Sequence, residues 1–430
     1  MTPRPKLWLL AATVALLPLL VPRGPGQSAP VDALACAYVL LAAAGLARTG
    51  ARLRLPAKGP LLLILAASLV ATATSLSLPD SLLSLLVEAY LVLLFAFVAD
   101  DLGDDEGALR AVLTVWSAAA LLWAGVLIGS HLQLLPPSLQ HLLVEGSRGA
   151  VTRVAGTSGN PNLAASYLLT SFFVLLASPW PARRPLRAAA AGWLLYAVYV
   201  TGSNGALLGL VAGLGAMAVG AALRAGRTPR QQLGVVGATL VGGTLLATAA
   251  LLAVGVPRVG VADVQAVAAA ERGGAFGSSL GRLDRSVTGR TTIWSRAWQG
   301  AGPQVLVGVG PAAAPWIPYA GGRLQRGLHN DYLAFLVERG VLGLVGLLAL
   351  AAVLLRWSGR VLLAALQGPG RWRPGGLGAA VVANLVLANN HESFHFRHVW
   401  IVFALAWAAG RVSAAARPGA PARSLAGVGG

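Results

Sequence analysis

Apolar residues in this chain come in long blocks, separated by short polar links that carry most of its charge. A helix that crosses the hydrocarbon layer needs about 20 apolar residues, with a working range of roughly 17–25. On that basis the pattern predicts about twelve membrane helices, near 6–22, 31–47, 59–78, 81–99, 108–129, 162–178, 187–201, 203–223, 233–255, 341–355, 377–390 and 398–412. The expected fold class is therefore an all-α integral membrane bundle. No internal repeat is evident, which argues against transporters built from two inverted halves.

Composition agrees. Of 430 residues, 56% are hydrophobic and 11% charged, with mean hydropathy +0.69; soluble domains carry roughly 25% charged residues. The single cysteine, Cys36, lies inside an apolar run, so neither a disulfide framework nor a cysteine metal site is expected. The first run, Leu7 to Val21, follows Arg4 and Lys6 and could pass for a signal peptide. Pro18, Pro22 and the Gly24-Pro25-Gly26 flank make a poor cleavage site, so a retained first helix is expected. The net charge of +18 sits in the links between runs. That is the mark of membrane topology, not of a nucleic-acid partner.

With the N-terminus inside, the cytoplasmic links hold twenty basic residues. The outer ones, apart from one long loop, hold four: Arg23, Arg148, Arg153 and Arg397. The bias predicts both termini in the cytoplasm. The acidic Asp100–Glu106 cluster is the exception on the inner side, where acids weigh little. The expected division is 1–129, N-terminal helices; 130–161, a first outer loop; 162–255, central helices; 256–340, a large outer loop ending in a polar-headed helix; 341–412, C-terminal helices; and 413–430, a disordered tail. The large loop holds Arg258, Arg272, Arg282, Arg285, Arg290, Arg296, Arg323 and Arg326, a cationic surface suited to an anionic ligand.

Four outer segments carry candidate chemistry. In Arg153 to Asn162, Asn160 and Pro161 read as the N-cap and first turn of a helix. Free N–H groups there can bind an anion and Arg153 can add a forked contact; an ordinary capped helix with an interfacial arginine fits equally. Thr201 to Gly205 reads as a tight turn. In Ser286 to Trp298, Trp294 and Trp298 share a face of a helix that starts near Arg290. That helix either lies on headgroups or offers Arg290 to a pyrophosphate. Gly308-Val309-Gly310-Pro311 is a turn, too short for a nucleotide-binding signature.

The fourth segment, Leu328 to Gly340, sets His329, Asn330 and Asp331 at the mouth of an apolar helix, with Gly340 as its stop. The positive helix end favours a neutral imidazole, which can take a proton from a hydroxyl. Near the last span, Arg397 and Glu392 are expected to line a polar cavity. Three histidines there (His391, His395 and His398) are too loosely spaced to predict a metal site. Glu338 and Arg339 are expected to pair, and Glu88 is a mid-span acid without an obvious partner.

In this order the segments resemble the O-antigen ligase / O-antigen polymerase family of bacterial membrane glycosyltransferases. The matching stretches are Arg153 to Asn162, Thr201 to Gly205, Gly289 to Trp294 with Gly308-Val309-Gly310, and His329-Asn330 with Leu333 followed by Glu338-Arg339-Gly340. The turn Gly202-Ser203-Asn204-Gly205 departs from the family, where a basic residue often precedes the glycine. The resemblance implies a multi-helix bundle like the lipid-dependent (GT-C-like) glycosyltransferases in the bacterial cytoplasmic membrane. It implies transfer of a glycan from undecaprenyl pyrophosphate to a hydroxyl on a glycan, lipid or protein, with no cofactor, metal or nucleotide sugar. Carried onto this chain, Arg153 and Arg290 hold the pyrophosphate and His329 activates the acceptor. Asn160, Asn162, Asn330, Asp331 and Arg397 are the further candidate contacts with substrate. A flippase or exporter of polyprenyl-linked sugars is the competing reading. It predicts functional charges on both sides or mid-membrane, whereas these collect outside.

Overall fold

The computed structural model describes residues 5–20, 28–136, 144–145, 153–224, 228, 231, 290–319, 322–324, 327–363 and 374–415. The ninth predicted span, 233–255, most of the large loop and the tail lie outside the described residues. Helices occupy the other eleven predicted stretches: α1 (Pro5–Leu16), α2 (Pro30–Thr49), α3 (Lys58–Ala73), α4 (Leu78–Leu102), α5 (Glu106–His131), α6 (Pro161–Ala177), α7 (Arg184–Thr201), α8 (Asn204–Arg224), α10 (Asp331–Leu363), α11 (Gly375–Leu387) and α12 (Arg397–Ala415). A further helix, α9, covers 290–301. By length and composition, α2, α4, α5, α8, α10 and α12 are long and apolar enough to cross a membrane, while α1, α3, α6 and α11 are shorter apolar helices. The chain is thus a mostly helical membrane protein with six candidate spans, and the expected count of twelve crossings stays a proposal. Two short antiparallel ladders complete the description, β1 (Val144–Glu145) with β2 (Arg153–Val154) and β3 (Pro318–Tyr319) with β4 (Gly322–Arg323).

Helix limits follow local chemistry. The side chain of Asp105 accepts the Ala108 N–H and starts α5, and Asn160, followed by Pro161, does the same for α6 through Asn162. Gly50 and Gly202 close α2 and α7 in the left-handed conformation. The Gly340 expectation is half right. Its φ of 73° and ψ of −173° are not helical, yet helix resumes at once, so α10 is two segments joined across a kink.

The centre of the bundle is α6, α11 and α12, whose residues are almost all buried. Small residues let backbones approach there. A Cβ on Gly213 would lie 2.3 Å from the Phe173 ring, and one on Gly376 would lie 2.4 Å from the Phe173 carbonyl.

The acidic cluster at the end of α4 has a structural reason. Asp101 takes Lys6 Nζ at 2.6 Å, Asp100 takes Arg54 at 2.9 Å, and Asp104 takes Arg54 at 2.7 Å and Arg411 at 2.6 Å. These acids tie α1, the link before α3 and the end of α12 to α4. The start of α1 and the end of α12 therefore lie at one basic end of the bundle.

A second network lies deeper. Arg339 donates to Glu338 at 3.1 Å and to Ser68 at 3.1 Å, and its Nε stands 3.5 Å from Glu88. Ser68 donates to Glu88 at 2.7 Å, and the guanidinium lies 4.3 Å from the Phe335 ring centre. Glu338 and Arg339 pair as expected, and Glu88 gains the partner that its helix alone did not reveal. Replacing Arg339 by Met should destabilise the protein by about 3–5 kcal/mol, because two buried carboxylates lose their cation. Thermal unfolding in detergent measures this, and an unchanged midpoint would show the network to be dispensable.

Candidate active site at the polar end of the bundle

The extramembrane segment sits on the bundle through its own small core, which includes Ala297, Ala301, Val309, Ile317, Leu328 and Val337. In α9 the inward positions are Ile293, Ala297 and Ala301, four residues apart. Trp294 donates to the Leu328 carbonyl at 2.8 Å, whereas Trp298 is 54% exposed, so only one of the expected tryptophan pair is engaged. The Gly308-Val309-Gly310 turn pairs with the kink of α10. Val309 N–H donates to Val337 at 3.0 Å and Gly310 N–H to the Glu338 carbonyl at 3.0 Å. Gly308 and Gly310 both have φ of 104°, and a Cβ on Gly308 would stand 2.4 Å from the Glu338 carbonyl oxygen. Only glycine suits such positions.

His329 precedes α10 in the left-handed region, with φ of 53°. Its backbone N–H donates to Glu392 Oε1 at 2.7 Å, and its side chain is exposed. Asn330 is the N-cap, its Oδ1 accepting from Leu333 N–H at 3.0 Å. Asp331 is buried and turned to the 388–396 loop, accepting from Ser393 N–H at 2.7 Å, Ser393 Oγ at 2.8 Å and Phe394 N–H at 3.3 Å. Asp331 N–H donates to the Ala388 carbonyl at 2.8 Å. Arg290 reaches the same loop, donating to Asn390 Oδ1 at 3.0 Å.

Beside this loop lies a cavity of about 640 Å³. Asp80, Trp316, Glu392, His395 and Arg397 give it a polar wall, and Leu17, Leu20, Leu83, Val87 and Leu163 an apolar one. Glu338, Glu392 and His395 also border a deeper recess of about 290 Å³ that reaches Glu88, Asp331 and Arg339. Glu392 and Arg397 thus line a polar cavity as expected. Arg397 makes a forked pair with Asp32 of α2, and Tyr90 donates to the same carboxylate at 3.3 Å. His395 is open to the cavity but surrounded by protein. Desolvation holds its pKa below the usual histidine value, with Glu392 pulling upward and Arg397 and Arg339 downward. His398 instead faces Ser166, 2.9 Å away, and the Tyr167 ring. His391 is buried near Gly205. No metal-binding group of His, Cys, Asp or Glu gathers among the described residues.

The structure therefore gathers Arg290, His329, Asn330, Asp331 and Arg397 around one loop. Asn160 and Asn162 lie at the start of α6, where the next residue, Leu163, lines the cavity. The backbone of Arg153 pairs with Glu145, while its side chain lies outside the described residues. Sequence reasoning missed Asp32, Asp80 and Trp316. Asp32 carried one signal, an acid in the first turn of α2.

A helical membrane bundle whose extramembrane helix and two ordered loops enclose a half-polar, half-apolar cavity has the form of a protein acting on amphipathic molecules at the membrane surface. Residues 189–348 match the family model described as O-antigen ligase. The match covers 160 of the 430 residues, and the family it describes is the one that the motifs of the chain resemble. Together with the six helices long and apolar enough to cross a membrane, the match supports membrane glycan transfer of the O-antigen ligase type in general. No curated protein matches the chain.

Asp331→Asn should loosen the 388–396 loop, since an amide puts a donor where Ser393 also donates. Amide exchange over 389–396 should quicken about tenfold for the loss of one charged hydrogen bond. Unchanged exchange would show that Asp331 does not order the loop.

Proposed function

We propose that the protein transfers a glycan from undecaprenyl pyrophosphate to an acceptor hydroxyl at the outer face of the cytoplasmic membrane. The observation that carries this reading is the convergence of Arg290 and His329 on one loop, through Asn390 and Glu392, beside a cavity with one polar and one leucine-lined wall. The acceptor oxygen attacks the anomeric carbon, the bond from that carbon to the phosphate oxygen breaks, and the polyprenyl pyrophosphate leaves with the electron pair. The acceptor proton passes to the His329 imidazole. Arg290, with Arg153, meets the charge that builds on the leaving group. The leucine wall takes the first isoprene units, and the polar wall takes sugar. Neither a metal nor a cofactor has a part in this scheme.

Orientation has support from the far end of the bundle. Lys6, Arg48, Arg54, Arg110 and Arg411 lie opposite the His329 end, so the positive-inside rule puts His329 outside and both chain ends in the cytoplasm. The acceptor hydroxyl can belong to a lipid-borne saccharide, a growing polysaccharide or a protein.

Purified protein supplied with lipid-linked oligosaccharide and candidate acceptors should release polyprenyl pyrophosphate. His329→Asn keeps a residue that tolerates the left-handed backbone and should lower transfer by about 10²-fold or more without unfolding the protein. Full activity in that variant would remove the imidazole from the chemistry. Arg290→Lys should also lose most activity, because a point charge cannot replace a fork at a pyrophosphate. Wild-type rates there would rule out Arg290 as the pyrophosphate clamp.

A further inference from the structure

We propose that Trp316 and Asp80 form a subsite for one pyranose ring, setting which saccharide the protein accepts. The proposal rests on the glycan-transfer reading and extends it to the part of the cavity lined by the 312–316 turn and the start of α4. Trp316 stands on the turn that follows Gly310-Pro311, and its indole N–H donates to Asp80 Oδ2 at 2.7 Å. Ser77 Oγ donates to the same oxygen at 2.7 Å, so the carboxylate is held from two sides. The Arg323 guanidinium lies 4.7 Å from the Trp316 ring centre and takes one face. The ring nevertheless remains 39% exposed, and both Trp316 and Asp80 line the 640 Å³ cavity.

Other tryptophans of the chain are as exposed, but Trp316 is the one that lines the cavity, with its indole N–H fixed on a carboxylate that lines it too. A pyranose presents a patch of C–H bonds on each face and hydroxyls around its edge. An indole face suits the first, and carboxylates suit the second because they accept from hydroxyls. Asp80 supplies an acceptor beside the ring, and Glu392, which also lines the cavity, supplies another. The cavity lies within the ~300–1,000 Å³ range of small-molecule sites. An isoprenoid would not use the carboxylates, and a pyrophosphate would be repelled by them. A sugar ring matches both components. It can belong to the donor glycan or to a saccharide acceptor, and the test separates these.

The full chain in lipid nanodiscs is assayed with the polyprenyl-linked glycan pool of the producing cells as donor, comparing wild type with Trp316→Ala, Trp316→Phe and Asp80→Asn. Trp316→Ala should raise KM for one substrate about tenfold, with kcat within about twofold and substantial recovery in Trp316→Phe. A shift in donor KM assigns the ring to the donor, and a shift in acceptor KM assigns it to the acceptor. Unchanged KM for both, with or without a lower melting temperature, makes Trp316 a strut between the loop and α4 and overturns the proposal. A second arm needs no transfer. Oligosaccharide freed from the same pool by mild acid is tested for binding by saturation-transfer NMR. Binding by wild type that disappears in Trp316→Ala supports the subsite even if no transfer occurs, in which case the transfer reading alone fails. Absent binding in wild type, or equal binding in the variant, overturns the subsite while leaving that reading to its own assay.

Discussion

The site depends on three consecutive residues, Glu338, Arg339 and Gly340, which lock the extramembrane segment to the membrane bundle. Arg339 reaches across to Ser68 and Glu88 and so joins α10 to α3 and α4. The Glu338 carbonyl accepts from Gly310, and its carboxylate lies 3.4 Å from the Ala314 N–H, so the same residue grips the turn that carries Trp316. Gly340 allows this because the chain runs against it. A Cβ there would lie 2.5 Å from the Leu306 carbonyl oxygen. A buried guanidinium shared by two carboxylates is costly to desolvate and more costly to break. The angle between loop and bundle, and with it the position of His329 at the head of the same helix, is held by that penalty.

The same network sets the electrostatics of the cavity floor. Around the deeper recess stand Glu88, Asp331, Glu338 and Glu392 against one guanidinium, Arg339. A hydroxyl-rich ring would find acceptors there. Arg397 does little to change the balance, because Asp32 already pairs with it. Arg290 lies outside the lining of both cavities and reaches the 388–396 loop through Asn390.

What the sequence made legible was what depends on local order. Apolar runs marked eleven of the helices found, because a membrane helix must satisfy its own backbone and needs only its own side chains to do so. Asn160 and Asn330 could be read as caps because capping acts within three residues. The cavity position of Glu392 and Arg397 was legible because charges near a membrane bundle collect on polar space. The partners that complete the site were not. Arg397 meets Asp32 across 365 positions, and Trp316 meets Asp80 across 236. No periodicity reports such distances. The acidic run Asp100–Glu106 looked out of place until Lys6, Arg54 and Arg411 were brought beside it by folding. The Gly340 stop was misjudged in degree because a glycine can break the dihedrals of a helix and helix can resume directly after it, across a kink.

Pro18 helps to end α1 at Leu16, so α1 has only 12 residues. At 1.5 Å per residue it is about 18 Å long, well short of a hydrocarbon layer of about 30 Å. Beyond it the chain from Leu17 to Leu20 is not helical, and Leu17 and Leu20 line the cavity with Leu83 and Val87 of α4. On α4, Leu82 and Leu86, beside Leu83 and Val87 in sequence, face outward at 46% and 68% exposure. The same turns of α4 therefore present apolar side chains both to the outside of the bundle and, through Leu83 and Val87, to the cavity.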